Sequence, residues 1–62
     1  MMNKYKYTKL KNLNYGDWFY YRGLSYKKGR EELLGFLCYN MMAKRYIQLN
    51  RNAKVKIFED AT

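Results

Sequence analysis

Lys4, Lys6, Lys9 and Lys11 stand within the first eleven residues with no acid among them. Lys27, Lys28 and Arg30 form a second basic group. Lys44, Arg45, Arg51, Lys54 and Lys56 form a third, which meets no acid before Glu59. Interleaved with these are eight tyrosines, three phenylalanines and one tryptophan. Cationic side chains neutralise phosphates and flat rings stack on bases, so this pairing of residue types suits nucleic acid. It equally suits a carboxylate-rich protein surface, where charge speeds encounter and rings anchor the complex. A solvated surface accounts for many lysines in any protein. Thirteen basic residues against five acidic ones, a net charge of +8, asks for more than that.

Catalytic chemistry has little to work with. There is no histidine. Carboxylates occur side by side only at Glu31/Glu32 and Glu59/Asp60, with Asp17 alone, and neighbours on a strand point to opposite faces. The glycines at 16, 23, 29 and 35 have the spacing of turns, not of a phosphate-binding loop. The single cysteine, Cys38, lies between Leu37 and Tyr39 and reads as a small core hydrophobe suited to a reducing compartment. The reading is a non-enzymatic protein with no catalytic residues, no metal ligands and no cofactor.

The elements that must position these residues are short. Sixty-two residues make one domain, 1–62, which buries only about 60% of its unfolded surface. A homodimer would ease that shortage of core. Asn12 to Asp17, Arg22-Gly23, Lys27 to Arg30 and Asn50 to Ala53 carry turn or polar-loop chemistry. Trp18–Tyr21 and Leu24–Lys27 read as strands of a tight hairpin, Gly23 supplying the positive φ. Tyr46–Leu49 and Val55–Phe58 read as two more, with Val55 and Ile57 inward and Lys54 and Lys56 outward. Residues 31 to 45 fit a helix with Leu34, Leu37, Cys38 and Met41 on one face, but Gly35 opposes it. The strand reading, from about Leu34 to Met42 with a turn at Ala43-Lys44, is preferred. Five antiparallel strands then suit an all-β small barrel, with at most one short helix, whose closure removes exposed edges. No signal peptide and no apolar run of membrane-spanning length is visible, so a cytoplasmic location without membrane attachment is expected.

The stretch Leu10-x-x-Leu13-x-x-Gly16-Asp17-x-Phe19-x-x-x-Gly23-x-x-Tyr26-Lys27 resembles a pattern common in small, mostly uncharacterised bacteriophage proteins. Cys38-Tyr39-Asn40 and Asn52-Ala53-Lys54-Val55 fill the later places of that pattern, so the resemblance spans roughly residues 9 to 57. It implies an SH3-like barrel, made early in infection to redirect the host and acting in the host cytoplasm. Gly29 to Gly35 departs from the pattern and reads as a private binding loop.

Phe19, Tyr26, Phe36 and Phe58 are the expected aromatic core. If Phe19 points inward, Trp18 and Tyr20 point outward. The candidate binding set is Lys6, Lys9, Lys11, Lys44, Arg45, Arg51, Lys54 and Lys56 for phosphates, with Trp18, Tyr20 and Tyr39 for stacking. Arg45 and Arg51 are the best placed by type to read bases. The expected ligand is DNA or RNA, bound largely without regard to sequence. The alternative is an inhibitor or modulator of a host protein such as a polymerase or nuclease, docked on an acidic surface and anchored by Trp18, Tyr20, Leu33 and Leu34.

Overall fold

Phe19 is buried between the more open Trp18 and Tyr20, and after Gly23 Tyr26 is buried between the more open Ser25 and Lys27. The two segments pair in register, Tyr21 opposite Leu24 and Phe19 opposite Tyr26. Arg22 and Gly23 both take positive φ, 53° and 79°. That is the two-residue turn whose twist matches a hairpin, and glycine fills its second place without strain. This hairpin is the centre of the computed structural model, which describes residues 4–59. Six strands form one antiparallel sheet: β1 Lys4–Lys9, β2 Trp18–Tyr21, β3 Leu24–Glu32, β4 Gly35–Asn40, β5 Arg45–Leu49 and β6 Lys54–Glu59. Their spatial order is β1-β6-β2-β3-β4-β5. A single 3₁₀ turn, Leu10–Asn12, follows β1.

The all-β, small-barrel class expected from the sequence holds, and residues 31 to 45 contain strand β4 and a turn, not a helix. Four expectations are corrected. The sheet is barrel-like but not closed. The lysine-rich start of the chain supplies a sixth strand that pairs with β6, leaving β1 and β5 as edges. Its alternating lysines are a common guard against edge-to-edge pairing. The polar loop expected at Lys27 to Arg30 is instead the middle of β3. Lys28 lies opposite Cys38 and Glu31 opposite Phe36, so Gly29 and Arg30 together face Leu37 across a bulge. A Cβ on Gly29 would sit 2.1 Å from the Leu37 carbonyl oxygen, which is why glycine is there. The separate binding loop expected from Gly29 to Gly35 thereby shrinks to the turn at Leu33-Leu34.

Leu10, Phe19, Tyr26, Phe36, Cys38 and Val55 fill the interior. Phe19 and Tyr26 stack nearly parallel, with ring centres 5.5 Å apart. Asn40 is buried with its Oδ1 accepting from the Met42 and Ala43 amides, both at 2.9 Å, which shapes the β4–β5 turn.

Lys28 is the unexpected member of this interior, only 5% exposed. Its ammonium donates to the carbonyls of Leu10, at 3.0 Å, and of Leu13, and lies 3.9 Å from the centre of the Phe36 ring. Its own amide donates to the Asp17 carbonyl and its carbonyl accepts from Gly16, both at 2.8 Å. One residue thus fixes the 3₁₀ turn and the entry to β2 against β3.

Burial lowers the Lys28 pKa below the ordinary 10.5. The folded state therefore sheds this proton first. Between the folded and unfolded values the unfolded chain holds more protons, so Lys28's contribution to stability rises with pH and levels off above 10.5. Lys28→Met orphans the Leu13 carbonyl and should destabilise the fold by about 1–2 kcal/mol in urea unfolding. The stability gap between wild type and K28M should widen as pH climbs toward that ordinary value. A gap that narrows would contradict this placement of the ammonium.

Candidate nucleic-acid interface

Strand alternation sends Phe19 inward and leaves Trp18 and Tyr20 facing out, Trp18 55% exposed. The register carries this choice across the sheet. Trp18 is opposite Lys27, Lys27 opposite Tyr39, and Tyr39 opposite Tyr46. On the other side Tyr20 is opposite Lys56, and Tyr5 opposite Phe58. Phe58 and Trp18, each two residues beyond that Tyr20–Lys56 pair, line one cleft. A single outward row therefore crosses all six strands: Tyr5, Phe58, Trp18, Lys27, Tyr39, Tyr46. At the usual strand spacing it is about 24 Å long. Beside it runs a second row, Tyr7, Lys56, Tyr20 and Ser25, and beyond that the pair Lys9 and Lys54. None of these positions is acidic.

The rings brace one another. Tyr5 and Phe58 lie 4.5 Å apart at 33°, and Tyr20 meets both edge-on at 6.4 and 5.9 Å. Tyr39 and Tyr46 make an edge contact at 5.1 Å. Lysines lie across the ring faces: Lys27 at 5.6 Å from Trp18, Lys56 at 4.7 Å from Tyr5, and Lys54 at 5.4 Å from Tyr7. These contacts are weak at exposed sites, and they hold each ammonium beside an aromatic face.

Acids stand outside these rows, and Asp17 lines the same cleft as Trp18 and Phe58. Among the described residues the ion pairs join Arg30 to Glu32, at 2.7 Å, and Arg51 to Glu31, at 3.1 Å, both near the β3–β4 turn. Asp17 accepts the Asn14 amide at 2.8 Å in the turn before β2.

The structure divides the sequence-derived candidates. Trp18 and Tyr39 share the long row; Tyr20, Lys56, Lys54 and Lys9 stand in the rows beside it. Lys6 is opposite Ile57, on the other face of β1, and is exposed there. Lys11 lies on the 3₁₀ turn. Lys44, with φ 57°, and Arg45 are at the β4–β5 turn. Arg51 is at the opposite end of β4, where its guanidinium also donates to the Leu33 and Glu32 carbonyls at 3.2 and 2.9 Å. It is committed to pinning the β3–β4 turn.

Phe58, expected in the core, is instead half exposed in the long row against Tyr5. The alternation that turns Val55 and Ile57 inward also turns Phe58 out with Lys56, so this signal was present in the sequence. Tyr5, Tyr7, Lys27 and Tyr46 join the face as well. The alternation of Tyr5 and Tyr7 with lysines hinted at the first two. Tyr46 and Lys27 follow only from register.

Cys38 is buried and burial pushes its thiol pKa up, so it stays protonated and unreactive. Among the described residues no group of three His, Cys, Asp or Glu side chains gathers as a metal site requires. No helix among them is long and apolar enough to cross a membrane. Comparison with protein-family models, curated proteins and solved structures finds no match.

Trp18, the only tryptophan, reports on this face. With Lys27 across its ring and no acid in its row, iodide should quench its fluorescence more efficiently than caesium, and added inert salt should erase the difference. Equal quenching by the two ions at low salt would show that the face is not electropositive.

Proposed function

We propose that this protein is a non-enzymatic module that binds nucleic acid through the outward sheet face, largely without regard to sequence. The row of five rings and one lysine crossing the sheet, flanked by Lys9, Lys54 and Lys56, is the observation that carries the reading. Rings offer stacking surface to any base, and ammonium groups neutralise phosphates without reading bases. Base-edge readers are scarce: the outward strand positions offer Ser25 and Gln48, whereas Arg51 is engaged elsewhere. The resemblance to bacteriophage proteins supports a role in an infected cell's cytoplasm, on host or phage nucleic acid.

A second reading has its own observation. Leu33 and Leu34 stand 89% and 73% exposed at a turn pinned by Arg51. An apolar tip held rigid and flanked by charge is how a protein-binding anchor is built, which supports a modulator of a host protein. A stoichiometric partner recovered from nuclease-treated bacterial lysate, and lost with Leu33→Ser/Leu34→Ser, would favour it.

The nucleic-acid reading is tested by salt. If Lys9, Lys27, Lys54 and Lys56 each neutralise one phosphate, log K should fall against log salt with a slope of about −3 to −4. Replacing Lys54 or Lys56 by alanine should each make that slope shallower by about 1, whereas Lys44→Ala should leave it nearly unchanged. A slope indifferent to the face lysines would remove the interface from this surface.

A further inference from the structure

We infer that the depression opened by the β3 bulge seats one unpaired base, so that the ligand is single-stranded. This rests on the nucleic-acid reading and names the form of ligand the same face takes. Two adjoining hollows, about 320 and 100 Å³, meet over Gly29. The larger is lined by Tyr15, Gly29, Arg30, Leu37 and Tyr46; the smaller adds Lys27 and Tyr39. Tyr46 and Tyr39 are the last two rings of the outward row, so the hollow lies where that row ends. The Gly29 backbone packs directly on the Leu37 carbonyl, and the bulge beneath the hollow is the same irregularity that sets two β3 residues against Leu37.

The lining matches the parts of a nucleotide. Tyr15, 78% exposed on the loop before β2, and Tyr46 give aromatic walls. Leu37 gives an apolar side chain and Gly29 a stretch of bare backbone. Arg30 and Lys27 bring cations for the phosphates on either side, Arg30 being balanced at present by Glu32 at 2.7 Å. Lys28 contributes backbone only, because its ammonium is turned inward to Leu10 and Leu13. A base inside a duplex has both faces stacked and its pairing edge engaged, and cannot enter such a hollow. A base in a single strand is free to do so.

The experiment compares three probes of equal phosphate number at one low salt concentration: oligo-dT, oligo-U and a hairpin duplex. Binding is read by anisotropy of a labelled probe. Single strands should bind at least tenfold more tightly than the duplex, and the two sugars should bind alike, because the hollow stacks on bases without reading a 2′-hydroxyl. Tyr15→Ala, on an exposed loop, should weaken oligo-dT binding roughly tenfold and leave duplex affinity unchanged. Tyr46→Leu should also weaken oligo-dT binding, Tyr46 being shared between the hollow and the outward row. Circular dichroism confirms that each variant is folded. If duplex and single strand bind equally and Tyr15→Ala changes neither, the base seat is refuted while the basic face stands. If no probe binds at low salt, the nucleic-acid reading itself fails.

Discussion

The Lys28 ammonium, held between the carbonyls of Leu10 and Leu13, is the interaction on which the rest of the molecule depends. A lysine loses strong hydration when buried, and only acceptors already in place make its burial tolerable. Here they come from a 3₁₀ turn whose other ties are the buried Leu10 side chain, the Asn12 side-chain amide donating to the Thr8 hydroxyl, and two backbone bonds to the β5–β6 connection, Leu10 to Ala53 and Lys11 to Arg51. Through its backbone the same residue holds Gly16 and Asp17, the two positions before Trp18. One residue thus ties the 3₁₀ turn through its side chain and the approach to Trp18 through its backbone.

Strand geometry then divides the labour. A chain this small has few apolar side chains to spare, yet rings stand outside in numbers. The inner parity is filled by Leu10, Phe19, Tyr26, Phe36, Cys38 and Val55, and the outer parity gathers Tyr5, Phe58, Trp18, Tyr39 and Tyr46. The outer rings project from hydrogen-bonded strands, and Tyr5 with Phe58 and Tyr39 with Tyr46 touch, so these pairs are set before any ligand arrives. Such preorganisation lowers the ordering cost of binding.

Much of the fold was legible where the signal was local. The Arg22-Gly23 hairpin is a two-residue turn with its own chemistry, and Val55 and Ile57 declare their face by alternation alone. Trp18 and Tyr20 could be placed outside because Phe19 between them is so clearly a core residue. What was not legible depended on distant partners. The segment Lys27 to Arg30 looks like a loop because nothing nearby shows that Leu10 and Leu13, 18 and 15 residues away, will receive a lysine. Arg51 looks like a free cation until Glu31, 20 residues away, is brought to it. The long row is beyond sequence reasoning because it needs the register of six strands at once.

The lysines lying over Trp18, Tyr5 and Tyr7 bear on how the protein behaves in concentrated solution. Bare rings in a contiguous outer patch would make one copy adhere to the next. Ammonium groups over those rings keep water on the patch, and like charges hold neighbouring copies apart at neutral pH. The colloidal stability of the chain is thereby tied to ionic strength. In dilute buffer the molecules repel, and as salt shortens the reach of that repulsion the same rings become adhesive.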